Sequence, residues 1–267
     1  MTMMRMKAVY VFLLITFLVQ GCDRFDRSRT KADTKKSELT GSIKAVRSET
    51  VTLVDGMGKP SPEQRGITEE SSYDLDGFET EQLFYNPDKS LLSRTTYVRN
   101  ARGVKSEAVL YDPKGTMREK RIFKADERGN IIEWQNTRPD GSVHSKSSYS
   151  YDQRGNNTEW IIQNSRGAVT DRWVYGYDDR GRVVEESRYY ADGTLEVKHV
   201  HTFDDQGLRK ESATYKADGT LVETQRYDYE FDSTGNWIKK TTSKLSAGSS
   251  EGAFVPVSIT FRIISYY

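Results

Sequence analysis

The sequence predicts an all-β protein: an antiparallel up-and-down meander of tandem 26-residue hairpin repeats forming one large curled or rolled sheet, with a flat single-layer sheet as the alternative. Three observations carry this. Glycines fall at 103, 115, 129, 141, 155, 167, 181, 193, 207 and 219, so the gaps alternate between 12 and 14 and one repeat spans a pair of gaps. The chain holds 16 Tyr, 10 Phe and 4 Trp, a bias toward strands. Positions half a repeat apart alternate in charge sign, as cross-strand partners on one face would.

Met1 to Lys7 is a short basic start, and Ala8 to Val19 is apolar except for Thr16, which suits a signal-peptide core and is too short for a membrane span. Residues 1–21 are expected to be a signal peptide. Leu18-Val19-Gln20-Gly21-Cys22 resembles the lipobox of bacterial lipoproteins, although Gln20 stands where a smaller residue is commoner. The resemblance implies acylation of Cys22, palmitate included. It also implies a lipid-anchored membrane protein of the bacterial cell envelope, on the periplasmic side or the cell surface. Cys22 is the one cysteine, so neither a disulfide framework nor a thiolate metal site is available. Asp23 resembles the inner-membrane retention signal of enteric bacteria, a rule that varies and leaves the choice of membrane open.

Residues 22–40 are the lipidated cysteine and a charged stretch with hardly an apolar member, which reads as a flexible tether. Such a length has a root-mean-square reach of roughly 20 to 25 Å. The β domain is expected over 41–267. Residues 42–70 are less regular and read as entry strands, and Ile259 to Tyr267 reads as a closing strand. The formal charge is +1, and removing Arg5 and Lys7 of the leader leaves −1, so no basic field exists for nucleic acid.

Two turn classes punctuate the repeat. One is Asp-Gly, at 140–141, 192–193 and 218–219. The other is Asp-x-x-Gly, beginning at Asp74, Asp126, Asp152, Asp178, Asp204 and Asp232, with Asn100 standing in before Gly103. There the carboxylate accepts from amides two residues on and the glycine supplies positive φ. Lys89 occupies one glycine position. Each turn offers too few oxygens for calcium.

Stepping by 13 gives Glu81, Arg94, Glu107, Lys120, Glu133, Lys146, Glu159, Arg172, Glu185, Lys198 and Glu211. The row is read as a structural ladder in which every interior glutamate has a basic neighbour on each side. It also excludes an outer-membrane barrel, which would carry these charges against lipid at mid-depth. By parity the opposite face holds Leu91, Tyr97, Met117, Phe123, Trp134, Val143, Tyr149, Trp160, Trp173 and Leu195 and is expected to be apolar and wrapped inward, as a rolled sheet or wide barrel. Trp134, Trp160 and Trp173 are the candidate binding residues: core if this face is closed, a stacking platform for sugar rings if it is open.

The tandem units Tyr73-Asp74-Leu-Asp-Gly77, Tyr151-Asp152-Gln-Arg-Gly155 and Tyr177-Asp178-Asp-Arg-Gly181 resemble the YD (Rhs) repeats of bacterial cell-surface proteins over about residues 70 to 240. In that family the repeats build a spiralling sheet that in the largest members encloses a toxic C-terminal domain. This chain has too few repeats for a full shell and no cargo domain. No catalytic motif is present, and the chain is expected not to be an enzyme or to take a cofactor. His199 and His201 could supply two legs of a metal site, but no third ligand is indicated and no metal is expected. The favoured role is a non-enzymatic envelope lipoprotein whose sheet is a scaffold for a glycan or another envelope protein. An accessory or relic of an Rhs-type toxin-delivery system comes second and a carbohydrate-active enzyme last.

Overall fold

A computed structural model describes residues 32–37, 39–53, 60–245 and 253–267. The signal peptide and Cys22 lie outside the described residues. The elements are α1 (Asp33–Lys36), β1 (Ile43–Leu53), β2 (Pro60–Tyr73), β3 (Glu79–Tyr85), β4 (Leu91–Arg99), β5 (Lys105–Tyr111), β6 (Met117–Ala125), β7 (Ile131–Thr137) and β8 (Val143–Tyr151). They continue with β9 (Asn157–Asn164), β10 (Val169–Tyr177), β11 (Val183–Tyr189), β12 (Leu195–Phe203), β13 (Arg209–Lys216), β14 (Leu221–Phe231), β15 (Trp237–Leu245) and β16 (Phe254–Tyr266).

Each strand pairs antiparallel with the next, and β1 pairs with β16, so the sheet is a closed 16-strand barrel. This overturns the expected open sheet, whether curled, rolled or flat. The closing register runs from Val46 opposite Ile264 to Val51 opposite Ile259. These partners lie at the two ends of the domain and outside the repeat, so no local pattern announces them. Sixteen strands spaced about 4.8 Å and tilted about 40° give a circumference of roughly 100 Å and a diameter of roughly 30 Å between backbones.

The turns follow their residues. Asp152 Oδ1 accepts from Arg154 N at 2.9 Å and Asn156 N at 2.8 Å, while Gly155 takes φ 85°. Lys89, at φ 68°, is the one non-glycine with positive φ among the described residues.

Parity within strands separates two faces, but each hairpin also carries a bulge at its strand ends, and one extra residue there reverses the alternation. Leu91, Met117 and Leu195 pair with Tyr85, Tyr111 and Tyr189, whose rings lie under Arg47, Arg94 and Arg172, and Val143 pairs with Thr137, which lies across from the ladder residue Lys120. They are therefore on the outer surface, not the inner face expected for them. Leu195 lines a shallow outer depression with Lys198, Val200 and Tyr215.

The end of the expected tether touches the barrel. Residues 32–37 and 39–40 are docked on the barrel rim: Asp33 Oδ2 accepts from Glu79 N at 2.9 Å and pairs with Arg99, and Thr34 N donates to Gly77 O at 3.1 Å. Thr40 N donates to Asn236 Oδ1 at 2.7 Å, and Leu39 is buried with Ile43, Val46 and Tyr73. Composition alone could not show that basic partners from β4 and β5 await Asp33.

Candidate binding site in the lumen

The ladder residues face outward and are half-exposed. Glu107 pairs with Lys120 at 2.6 Å, Glu159 with Arg172 at 2.7 Å and Glu185 with Lys198 at 2.6 Å, and Arg94 pairs with Glu81. Each of these glutamates meets the base on the strand that follows it, within its own hairpin. Its other side is taken differently: Arg172 turns to the Tyr189 ring at 5.0 Å, not to Glu185. The expected basic neighbour on both sides is thus replaced by an acid, a base and a ring. Glu133 and Lys146 occupy equivalent places with no ion pair among the described residues.

Inside, the residue following each ladder glutamate points into the lumen, because successive strand residues face opposite ways. These are Gln82, Ala108, Trp134, Trp160, Glu186 and Ser212. Their register partners on the preceding strands are Ser71, Tyr97, Phe123, Tyr149, Tyr175 and His201. The inner face is consequently not the apolar surface expected. It mixes aromatics with Arg121, Asn136, Asp171, Glu186, Arg188 and His201, as suits a wall that meets water. A barrel of this strand number has room for a lumen, and Trp160, Trp173 and Tyr175 are only half-buried.

The three candidate tryptophans are brought together on β7, β9 and β10. Trp173 lies directly across from Trp160, and Trp160 directly across from Tyr149, with those two rings stacked at 6.0 Å and 10°. Trp134 Nε1 donates to Tyr149 Oη at 2.8 Å, and Trp160 Nε1 donates to Ser147 Oγ at 3.0 Å. The indole N–H groups of Trp134 and Trp160 are thereby satisfied within the wall. Arg121 lies over Trp134 at 4.3 Å, and Arg188 over Trp173 at 5.7 Å while it pairs with Asp171. Burial raises the Tyr149 hydroxyl above its ordinary range, more than the Trp134 bond lowers it, so it stays neutral. The alternatives of core and platform resolve into parts. Trp134 is 8% exposed and packed, whereas Trp160 and Trp173 remain accessible from the lumen.

Beside this wall lies a polar cluster that sequence reasoning missed. Glu186 Oε1 accepts from His201 Nε2 at 3.0 Å and Arg209 Nη2 at 3.2 Å, and His201 Nδ1 meets Ser212 Oγ at 2.8 Å. Burial pushes the Glu186 carboxyl up, but the His201 bond and the Arg209 charge outweigh it and the net shift is downward. Burial lowers His199, which bonds Thr214 at 3.0 Å. Both ring nitrogens of His201 are engaged, and among the described residues no cluster of three His, Cys, Asp or Glu could hold a metal. A serine, an imidazole and a carboxylate in line invite comparison with nucleophilic catalysis. Ser212, however, sits mid-strand, where backbone N–H groups serve the ladder instead of an oxyanion hole. The signal that would have found Glu186 was its place one residue after Glu185. His144, the remaining histidine, is on the outer face against Arg138 at 2.8 Å.

No family model matches the chain, and no curated protein matches it. Among solved structures it is similar to a porin-like protein from Bacteroides uniformis, at 12% identity and a TM-score of 0.58, covering 85% of this chain and 99% of that one. A porin-like protein from Bacteroides vulgatus aligns at 14% identity, covering 82% and 97%, with a TM-score of 0.38. The Tc holotoxin pore of Photorhabdus luminescens aligns at 14% identity over 72% of this chain and 11% of that one, with a TM-score of 0.25. The first likeness shows the fold, a porin-like closed β-barrel. The other two superpose too loosely to carry an argument, so the YD-repeat likeness rests on the motifs.

Proposed function

We propose that the protein is a non-enzymatic lipoprotein of the bacterial cell envelope whose barrel lumen binds a glycan on the wall built from Tyr149, Trp160 and Trp173. The observation that carries this reading is the inward aromatic wall: two accessible indoles face each other across neighbouring strands, and a tyrosine extends the platform. Flat apolar rings edged by Asp171 and Arg188 offer a sugar both a stacking surface and hydrogen-bonding groups.

The porin-like neighbour's name would suggest a pore through the outer membrane. The outer surface argues for a barrel in water instead, because Glu107, Lys120, Glu159, Arg172, Glu185 and Lys198 lie on it at mid-strand between β5 and β12. Attachment is then by Cys22. The chain reaches the barrel at the rim of the Asp-x-x-Gly turns, where Asp33 and Thr40 dock, so that rim would face the membrane and the opposite one would open away from it.

The test is a glycan array probed with soluble protein from Asp23 onward, followed by titration of the best binder. Trp160→Ala should weaken binding 10-fold or more with little change in melting temperature. Unchanged affinity in both Trp160→Ala and Trp173→Ala would overturn the assignment of the wall.

A further inference from the structure

On β13, β15 and β16 the wall turns positive, at Arg209, Lys240 and Arg262. Arg209 is paired with Glu186, but Lys240 and Arg262 have no carboxylate partner among the described residues. Lys240 occupies the same place in β15 that Trp134 and Trp160 occupy in β7 and β9, three residues beyond the strand's start after an Asp-x-x-Gly turn. Its register partners are Tyr229 on β14 and Thr260 on β16, and Arg262 follows Thr260 by two residues on the same face.

The two cations share one ring. Arg262 Cζ lies 3.4 Å and Lys240 Nζ 5.6 Å from the centre of Trp237, and Lys240 lies 5.7 Å from that of Tyr227. Arg262 Nε is buried without a hydrogen-bond partner among the described residues. Burial, and then the neighbouring charges of Arg262 and Arg209, lower Lys240 to about 8, while burial lowers Arg262 to about 10. The other ionisable groups around them are Tyr229, Tyr73 and Glu69, and Glu69 is itself pushed upward by burial and bonded to Gln82 at 2.7 Å. Two like charges held together in a partly desolvated wall are unfavourable until an anion joins them.

We infer that Lys240 and Arg262, above Trp237, form an anion subsite that selects a glycan carrying carboxylate or sulfate groups. In the ring of 16 strands β8 and β16 are eight apart, and β9 and β10 are six from β15 and β16, so this subsite lies across the lumen from the wall of Tyr149, Trp160 and Trp173. A single sugar cannot touch both walls of a barrel roughly 30 Å across, so the ligand is an oligomer. The Trp237 ring below the cations gives its charged residue a stacking surface as well.

This rests on the lumen being the glycan site, and the experiment separates the two. Tetragalacturonate and its fully methyl-esterified form have the same backbone with and without charge. The acid should bind at least 10-fold tighter than the ester, and Lys240→Met with Arg262→Met should bring the ratio below 2-fold. Trp160→Ala should weaken both forms alike. In parallel, the rise in melting temperature produced by sulfate, against chloride at equal ionic strength, is read within each protein, so altered intrinsic stability cancels. It should be largest below pH 8, fade as Lys240 loses its proton, and be absent from the double variant. Equal binding of acid and ester, or a ratio unmoved in the double variant, overturns the anion subsite and leaves the glycan reading standing. Sulfate protection that depends on Lys240 and Arg262 while neither tetrasaccharide binds supports the subsite and sinks the glycan reading. Sulfate protection equal in wild type and double variant overturns the subsite.

Discussion

The two faces of one sheet follow different rules. On the outer face the same residue class returns in every unit, a glutamate at 81, 107, 133, 159, 185 and 211 with a base at the matching place of the next strand, ending at Thr224. On the inner face the very next residue follows no such rule, running Gln82, Ala108, Trp134, Trp160, Glu186 and Ser212. The outer row gives each hairpin a check on register, since a one-residue slip would carry a charge through the sheet. The inner row is relieved of that task. Its residues are free to differ, and where they differ most, at Trp160, Glu186 and Lys240, the lumen acquires its chemistry.

Breaking the inner network should have the largest effect on stability. His201→Ala removes a buried ring bonded to Ser212 and Glu186 and leaves Glu186 with Arg209 alone, so urea denaturation should show a loss of about 2 to 4 kcal/mol. A loss no larger than that of an ordinary surface substitution, about 0.5 kcal/mol, would mean that the cluster contributes nothing to the fold. The outer face should be more forgiving. Arg172→Glu sets a like charge against Glu159 and uncovers Tyr189, at a cost of about 1 kcal/mol, whereas Arg172→Gln should be nearly neutral because the pair is half-exposed. Adding Glu185→Lys should not rescue Arg172→Glu, since Glu185 belongs to Lys198. Rescue in a double-mutant cycle would show that the ladder does couple across hairpins. The smallest change concerns the turns, which both faces share. Lys89→Gly relieves a left-handed backbone and should add about 1 kcal/mol, read as a higher denaturation midpoint with unchanged slope.

Much of the frame was legible because it is local. An aspartate caps its own turn, a glycine tolerates φ near 80°, and side chains alternate along a strand, so the turns and the outer position of Glu159 and Arg172 can be read from spacing. The candidate site was legible in part: Trp134, Trp160 and Trp173 share a face by parity, and Glu186 was hidden only because nothing distinguishes it from the adjacent Glu185 until the faces are separated. Parity failed at Leu91, Met117, Val143 and Leu195, where a bulge inserts one residue and no sequence signal fixes on which strand.

The sequence by itself determined the repeat, the turn geometry and the alternation of a charged with an aromatic face, all of which depend on residues a few positions apart. The tertiary structure decided closure through β1 and β16, the seating of Asp33 and Thr40 on the rim, and the placing of Lys240 and Arg262 opposite the tryptophans. The physical reason is the same in each case. These contacts join segments far apart in the chain, and whether a twisted meander meets its own first strand depends on tilt and stagger accumulated over all its strands, which no single repeat contains.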